Sequence, residues 1–307
     1  MSKNASPSYE HIFYVNGTGI SGIRDLDISY SVSRNPISAL GIGHVQPSLS
    51  DAIQGEVSFT RDLIYEDPLF TLTGDQMVNG TLIYASDLEE SNGQVIGFTS
   101  GYLTSYTTRA TVGDVPTTQC SFAVFGQLGS GVRKGELDYS GIHPLSSIKF
   151  INQGSIVLNV DQSETNRIMS YDQQYTMERI PIYDLREKTS QNYYAPTQVI
   201  SKTPVSVTTN FVVEVDNFKT ANMIDNTRSG VYRNLDLYVR QVDRSDEGLQ
   251  DETEAFLRDE NNEILEDAGR VTVFSFDPIS GNLISESVTT SIDGVLTVAL
   301  GFQNYLK

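Results

Sequence analysis

One segment of this chain recurs farther along it without a gap, and this repeat constrains the fold more than any other feature. Residues 100–105 read SGYLTS and residues 280–285 read SGNLIS, an offset of 180 positions (280 − 100). The same offset carries Gly113-Asp114, a two-residue hairpin signal, onto Asp293-Gly294. It also aligns Thr117 with Thr297, Phe122 with Phe302 and Phe125 with Tyr305. The repeat predicts two copies of one domain, against the alternative of chance similarity between hairpins.

Two looser matches extend the repeat towards the N-terminus. Residues 80–84 resemble residues 234–238 with an offset of 154 (238 − 84), and residues 26–28 resemble residues 158–160 with an offset of 132 (158 − 26). The growth of the offset from 154 to 180 predicts an insertion in the second copy. The predicted organisation is an N-terminal flexible arm over 1–11, a first domain over 12–130, a linker over 131–149 and a second domain over 150–307, with an acidic insertion at 243–269.

Alternating apolar and polar residues predict a mainly β fold of two tandem sandwich or barrel domains with few short helices. The runs are rich in Val, Ile, Thr, Tyr and Phe, and Gly, Pro, Asn and Asp separate them. Strands are predicted at residues 23–30, 56–65, 80–85, 95–112, 118–125, 155–160, 205–215, 235–242, 270–276 and 295–301. Helical periodicity is confined to 252–265 and, more weakly, 177–186.

The chain is strongly acidic, with a net charge of −18 and a pI near 4.4. Proteins that grip DNA neutralise phosphates with Lys and Arg, so this balance disfavours direct nucleic-acid binding. The lone Cys120 excludes an intrachain disulfide, and its apolar neighbours predict a buried side chain. Only His11, His44 and His143 are available for imidazole catalysis or zinc binding. No run approaches the ~18 apolar residues of a membrane-spanning helix.

Two motifs match catalytic or cofactor signatures by letter only. Residues 17–22 read GTGISG, the G-x-G-x-x-G pattern, but a strand-like run follows them, and Ile42 stands where a dinucleotide site needs an acidic residue. These glycines are therefore predicted to form a β-turn. Residues 146–149 read SSIK, the S-x-x-K spacing, in the predicted linker and without companion motifs.

Clustered carboxylates are the remaining candidates for chemistry. Pairs such as Asp25/Asp27, Glu66/Asp67 and Asp259/Glu260 are interpreted as exposed charge rather than as a glycosidase pair. The stretch 243–267 holds eleven acidic residues and two arginines, and residues 259–263 offer oxygen ligands without the spacing of an EF-hand loop. It is interpreted as a solvated insertion. The sequence thus predicts no catalytic, cofactor-binding or metal-binding residues, and no enzyme.

Several strings carry a family resemblance. Residues 22–30 (GIRDLDISY), 55–61 (GEVSFTR), 66–68 (EDP) and 80–84 (GTLIY) resemble the tail tube proteins of tailed bacteriophages, and the similarity is best over 20–125. The resemblance implies a β-sandwich or barrel whose strands join those of neighbouring subunits. Six such domains close each ring, so a chain with two domains implies a trimeric, pseudo-hexameric ring. Stacked rings form the conduit through which DNA leaves the capsid.

The resemblance also implies partners and a location. The chain would contact itself, a tape measure protein inside the tube, terminator and distal or baseplate proteins at its ends, and a sheath where the tail is contractile. Genomic DNA would pass without specific binding, and no membrane is involved. The protein would be made in the bacterial cytoplasm and reside in the virion tail. Alternatives are a distal tail, baseplate-hub or tail-terminator protein of related fold, or a carbohydrate-binding or hydrolytic β protein. The absence of Trp disfavours the last, although 16 tyrosines could substitute.

Overall fold

A computed structural model describes most of the chain and confirms the prediction of a mainly β fold, in which the described strand pairs are antiparallel. The described residues are 12–31, 34–37, 46–50, 54–63, 69, 72, 74–83, 95–132, 151–152, 154–160, 163–183, 196–215, 232–242, 270–276, 281–290 and 296–306. The predicted arm, the acidic insertion with the 252–265 helix, and the linker beyond residue 132 lie outside them. We use "first half" for residues 12–132 and "second half" for 151–306.

Nineteen strands are described. The first half contains β1 (Ile12–Val15), β2 (Thr18–Ile20), β3 (Ile23–Ser31), β4 (Arg34–Ile37), β5 (Gln46–Ser50), β6 (Gln54–Asp62), β7 (Val78–Ile83), β8 (Val95–Thr111), β9 (Thr117–Val124) and β10 (Leu128–Ser130). The second half contains β11 (Ile156–Val160), β12 (Ser163–Thr165), β13 (Ile168–Ile182), β14 (Gln198–Glu214), β15 (Tyr232–Arg233), β16 (Leu235–Val242), β17 (Arg270–Phe276), β18 (Gly281–Thr289) and β19 (Thr297–Leu306).

Eight strands make one continuous path through the largest sheet, and both halves contribute to it. Their order is β3-β6-β9-β8-β13-β14-β19-β18, and every neighbouring pair is antiparallel. We call this path the eight-stranded sheet. The first part of β8 leaves it to pair with β7 and β10, and β7 continues to β1 and β2.

Each half buries its apolar residues between the eight-stranded sheet and a second layer. In the first half β1, β2, β7 and the start of β8 supply that layer, and the rings of Phe13 and Phe59 meet across the core with centroids 5.3 Å apart. In the second half the layer is a separate sheet, β12-β11-β16-β17. Ile156, Leu158 and Leu237 from it join the core that contains Phe211 and Phe302. The alternation seen in the sequence thus places one side of the strands that form these two layers in a core.

The strand pairing of the first half recurs in the second at fixed offsets. Strands β1, β2 and β3 map onto β11, β12 and β13 with an offset of 145 (158 − 13). Strand β6 maps onto β14 with 152 (214 − 62), and β7 maps onto β16 with 155 (237 − 82). Strands β8 and β9 map onto β18 and β19 with 180 (302 − 122), the offset found in the sequence. The Asp293-Gly294 turn lies outside the described residues, but the strands on both sides of it keep this register.

Irregularities of the ladders recur as well. The register shift between Leu103 and Ser105 returns between Leu283 and Ser285, and the shift after Ile23 returns after Ile168. Two backbone hydrogen bonds outside the ladders also repeat at these offsets: Asp62 N to Gly22 O becomes Glu214 N to Arg167 O, and Leu63 N to Pro116 O becomes Val215 N to Leu296 O. Bulges are specific features of a sheet, so their recurrence ties the two halves position by position.

The looser matches of the sequence need correction. Residues 158–160 pair as β1 does and not as β3 does, so the offset of 132 is wrong and residue 26 corresponds to residue 171. The offset of 154 is one residue short, because Leu82 and Leu237 occupy the same register position. Both errors arose from matching short apolar strings, LDI with LNV and IY with LY, which are common in any strand.

The predicted helix at 177–186 is also wrong where it is described, because residues 177–182 belong to β13. Strand β13 was not predicted. Its core-facing positions include Gln173, which is fully buried but polar, so apolar alternation is weak there. Strand β10 occupies residues 128–130, where the sequence predicted the approach to a linker.

Gly80 lets the ring of Phe98 pack closely against the backbone of β7. A Cβ at this position would lie 2.1 Å from Cε1 of Phe98, whose ring is buried over the backbone of β7. In the second half the corresponding position is Leu235, itself fully buried. This part of the core is therefore filled by Phe98 of β8 in the first half and by Leu235 of β16 in the second.

We expect Gly80→Ala to lower the free energy of unfolding by about 1–3 kcal/mol, because the added methyl group overpacks Phe98. Gly74→Ala is the matched control, since a Cβ there meets nothing within 4 Å. Urea denaturation followed by circular dichroism measures both. Equal stability of the two variants would contradict the packing described here.

Candidate assembly interface

The two halves are joined edge to edge by β8 and β13. Seven residues of each strand pair, from Ser170 with Thr111 to Thr176 with Ser105. Tyr175 of β13 lies directly opposite Tyr106 of β8, and their rings meet edge to face with centroids 6.2 Å apart. Both rings are buried. This junction satisfies two strand edges that would otherwise present unpaired N–H and C=O groups.

A charged pair marks the other face of the same junction. Arg109 Nε donates to Asp172 Oδ2 at 2.7 Å, and the two residues are direct partners across the strands. The Arg109 side chain is 63% exposed, so solvent screens the pair and its contribution to stability is small.

A polar chain runs along the buried face of β13. The hydroxyl of Tyr171 donates to Gln173 Oε1 at 2.8 Å, and Gln173 Nε2 donates to the hydroxyl oxygen of Tyr175 at 3.2 Å. Burial raises the pKa of Tyr171 well above its usual value, and the neighbouring Tyr175, Tyr106 and Asp172 raise it further. The phenol therefore stays protonated and remains a donor. The bonds it makes explain how a strand with a buried glutamine fits this core.

Arg179 anchors the end of the junction. Its side chain extends from β13 into the first half, where Nε donates to the Leu103 carbonyl at 2.8 Å and Nη2 donates to the Gly74 carbonyl at 2.7 Å. Nη1 contacts Asp75 Oδ1 at 2.9 Å and also the hydroxyl of Ser201. The guanidinium thus links β13 to three segments, through the backbone of Leu103, residues 74–75 and the side chain of Ser201, which the planar fork of arginine allows.

Burial of Arg179 disfavours its positive charge, and the contacts described above offset this cost. Its side chain is 1% exposed, whereas that of Asp75 is 64% exposed. Burial lowers the pKa of Arg179, and the Asp75 carboxylate opposes that shift. Besides Asp75, the two backbone carbonyls and the Tyr102 ring, whose centroid lies 6.0 Å from the guanidinium carbon, also face this cation.

The repeat assigns each joined edge a counterpart that is not joined within the described chain. The offset of 145 maps the paired edge of β13 onto β3, and the offset of 180 maps that of β8 onto β18. Among the described strands, β3 pairs only with β6, and residues 285–289 of β18 pair only with β19. These are the two ends of the eight-stranded sheet.

Side-chain exposure distinguishes the joined edges from these two ends. Tyr175 is 7% exposed, and its counterpart Tyr30 on β3 is 64% exposed. On β18, Val288 is 59% exposed, whereas its counterpart Thr108 is buried. Exposed apolar residues on open sheet edges are typical of surfaces that pair with another chain. The two ends therefore form the candidate interface of this protein.

One face of the eight-stranded sheet is mainly polar, although Ala123, Val212 and Ala299 also lie on it. The residues on it alternate with the core residues and include Asp27, Ser29, Glu56, Ser58, Gln119, Asp172, Gln174, Thr208, Asn210, Ser285, Ser287 and Gln303. Carboxylates outnumber arginines in this set even when Arg109 is counted. The face would present hydroxyl, amide and carboxylate groups to whatever lies in front of it.

The motifs weighed in the sequence have structural roles where they are described. Residues 17–22 form the β1–β2 turn, β2 and the entry to β3, with Gly17 and Gly22 at positive φ, which confirms the β-turn and leaves no helix for a dinucleotide. Cys120 is buried in the first core, as predicted. Within the described ranges, no group of three or more His, Cys, Asp or Glu residues could hold a metal ion. The same part of the chain has no helix long and apolar enough to cross a membrane.

Sequence reasoning missed the junction, because β13 and β18 were not among the predicted strands. A usable signal existed. Residues 34–37 read RNPI and residues 179–182 read RIPI, an offset of 145, and this match would have aligned β3 with β13.

No family model matches this chain, and no curated protein is significantly similar to it.

We expect Arg179→Met to lower the free energy of unfolding of the dilute chain by about 2–4 kcal/mol, because it removes the charged donor from the buried Leu103 carbonyl and from the part-buried Gly74 carbonyl. Lys202→Met is the matched control. Lys202 lies on the adjacent strand and pairs with Glu178 at 2.7 Å, and both side chains are exposed. Its loss should therefore lower the free energy of unfolding by less than about 1 kcal/mol. Urea midpoints measure both, and similar losses would contradict the anchoring role of Arg179.

Proposed function

We propose that this protein is a tail tube subunit of a tailed bacteriophage, with two tandem domains of one β fold, and that three chains close each ring of the tube. The observation that carries the proposal is the relation between the sheet ends. The chain joins two edges internally, and among its described strands the repeat counterparts of those same two edges have no further partner.

Such a chain can repeat its own internal junction with a second copy. Applied to β3 and β18, the β8–β13 register sets Ser29 opposite Ser287 and Tyr30 opposite Glu286. The two ends differ, so the contact is head to tail, and such contacts either close a ring or grow an open filament. The resemblance to tail tube proteins supplies the number of domains, six per ring, and the repeat supplies two per chain.

The dimensions of such a ring suit a conduit. Three eight-stranded sheets contribute 24 strands. With strands about 4.8 Å apart and tilted by about 40°, the backbone circle is about 48 Å across. Six whole chains would double this diameter. The smaller circle leaves room for one duplex after side chains are allowed for.

The polar face of the eight-stranded sheet is the surface we assign to the lumen. The opposite face is already buried against the second layers, so the polar face is the one left to line the channel. Its excess of carboxylates, in a chain of net charge −18, repels phosphate and keeps DNA from adhering. A distal tail, baseplate-hub or terminator protein would also form such a ring but would not stack it into a tube.

We expect purified protein to assemble into stacked rings with threefold symmetry and a pseudo-sixfold inner wall. Cryo-electron microscopy of the concentrated protein measures both. Rings of six whole chains would contradict the proposal, and so would a protein that stays monomeric at high concentration. Rings that never stack would favour the tube-end alternatives.

The register between copies can be tested with cysteines. We expect Ser29→Cys/Ser287→Cys to form a disulfide between chains under oxidation, because the internal junction places these counterparts opposite each other. Within one chain the two edges lie roughly 34 Å apart, at seven strand spacings, so no internal bond can form. Ser29→Cys/Ser285→Cys is the control, with the same face and a register wrong by two residues. Equal crosslinking of both pairs would rule out this register.

A further inference from the structure

A polar pair lies on the core face of the junction within the chain. Gln173 of β13 is directly opposite Thr108 of β8, and both residues are buried. Gln173 bonds to Tyr171 in the core of the second half and to Tyr175 in the core of the first half. Among the described residues, the buried hydroxyl oxygen of Thr108 has no hydrogen-bond partner. Polar groups therefore separate the two cores where β8 meets β13.

The repeat offsets place apolar residues at the corresponding positions of the two sheet ends. Gln173 corresponds to Ile28 of β3 (173 − 145), and Thr108 corresponds to Val288 of β18 (108 + 180). Ile28 is partly buried against the core of the first half, whereas Val288 is 59% exposed. Val288 lies opposite the buried Val298 of β19, so its side chain projects from the core face of the sheet. Each sheet end thus carries an apolar residue where the internal junction carries a polar one.

One apolar pair results when the internal register is applied to the two sheet ends. This register opposes residues 26–31 to residues 285–290 in six pairs, and only Ile28 with Val288 is apolar on both sides. The aromatic pair of the internal junction is not repeated, because Glu286 replaces one of its two rings. Directly opposed side chains on antiparallel strands lie about 5 Å apart, close enough for Ile28 and Val288 to pack.

We propose that Ile28 of one copy packs against Val288 of the next, and that this apolar pair provides the main side-chain attraction between copies. The inference rests on the proposed ring, since it assigns two residues of the contact that closes it. Assembly removes Val288 from water, and the free energy gained grows with the apolar area buried. The internal junction needs no such gain to bring its strands together, because a covalent link already keeps the two halves close.

Val288→Thr tests the inference with little change of shape and gives β18 the residue found at the same position of β8. We expect it to raise the critical concentration for assembly, measured by sedimentation, by about tenfold, because a hydroxyl replaces a methyl group at every contact between copies. The urea midpoint of the dilute chain should match the wild type, since Val288 is exposed there. Val288→Ile, which keeps the apolar surface, should assemble as the wild type does.

Ile284→Thr is the matched control. Ile284 lies on the same strand and is 54% exposed, but its counterpart Thr104 lies outside the residues of β8 that pair with β13. Its critical concentration should stay within about twofold of the wild type, because the contact does not bury it. An equal effect of Ile284→Thr and Val288→Thr would overturn the inference, because general surface hydrophobicity would then explain both.

A double-mutant cycle tests whether the two side chains touch. Ile28→Val should raise the critical concentration by about threefold in the wild-type chain and by less in the Val288→Thr chain, because residues in contact are coupled. The urea midpoints of the dilute chains should show no such coupling, since the contact exists only between copies. Additive effects on assembly would contradict the contact.

Two further outcomes would overturn the inference: assembly of Val288→Thr at the wild-type concentration, or a lower urea midpoint of its dilute chain, which would place the role of Val288 within one molecule. The disulfide of Ser29→Cys/Ser287→Cys distinguishes these results from failure of the proposed function. If it forms between chains while Val288→Thr assembles normally, only the role of the apolar pair is wrong. If the wild-type chain does not assemble, the ring itself is wrong.

Discussion

The unsatisfied hydrogen-bonding capacity of a strand edge is the constraint on which the rest of this structure depends. Each open edge presents N–H and C=O groups that must be paired, covered or left to water. Within the chain, the edges of β8 and β13 pair with each other. At this junction Tyr175 and Tyr106 are buried, and Arg179 donates a hydrogen bond to the Leu103 carbonyl. No other described strand pairs with the outer edges of β3 and residues 285–289 of β18, the two ends of the eight-stranded sheet.

The two halves share one pattern of strand pairing, but their side chains differ at contacts in the core and at the junction. The pair of Asp172 and Arg109 at the internal junction corresponds to Asp27 and Thr289, so the carboxylate is kept and the arginine is not. Gly80, which makes room for Phe98, corresponds to Leu235. Such differences would let a chain distinguish its internal junction from a contact between copies, because each contact then carries its own pattern of charge and packing.

Part of this fold was predictable from residues alone. The 180-residue offset, the turn at residues 17–22 and burial of Cys120 all follow from local patterns, and the structure has them. Strand β13 was missed for a physical reason. Its core positions are satisfied by Tyr171, Gln173 and Tyr175 bonding to one another, and hydrophobic periodicity does not register a buried glutamine.

The sequence by itself determined the mainly β class, the repeat at an offset of 180 and the acidic balance, because period-two alternation, turn residues and charge are properties of neighbouring positions. Only the tertiary structure decided that β13 pairs with β8, and hence that β3 and β18 are the open ends. Pairing between strands some 65 residues apart depends on register, bulges and one buried arginine. None of these is encoded in the local pattern of either strand.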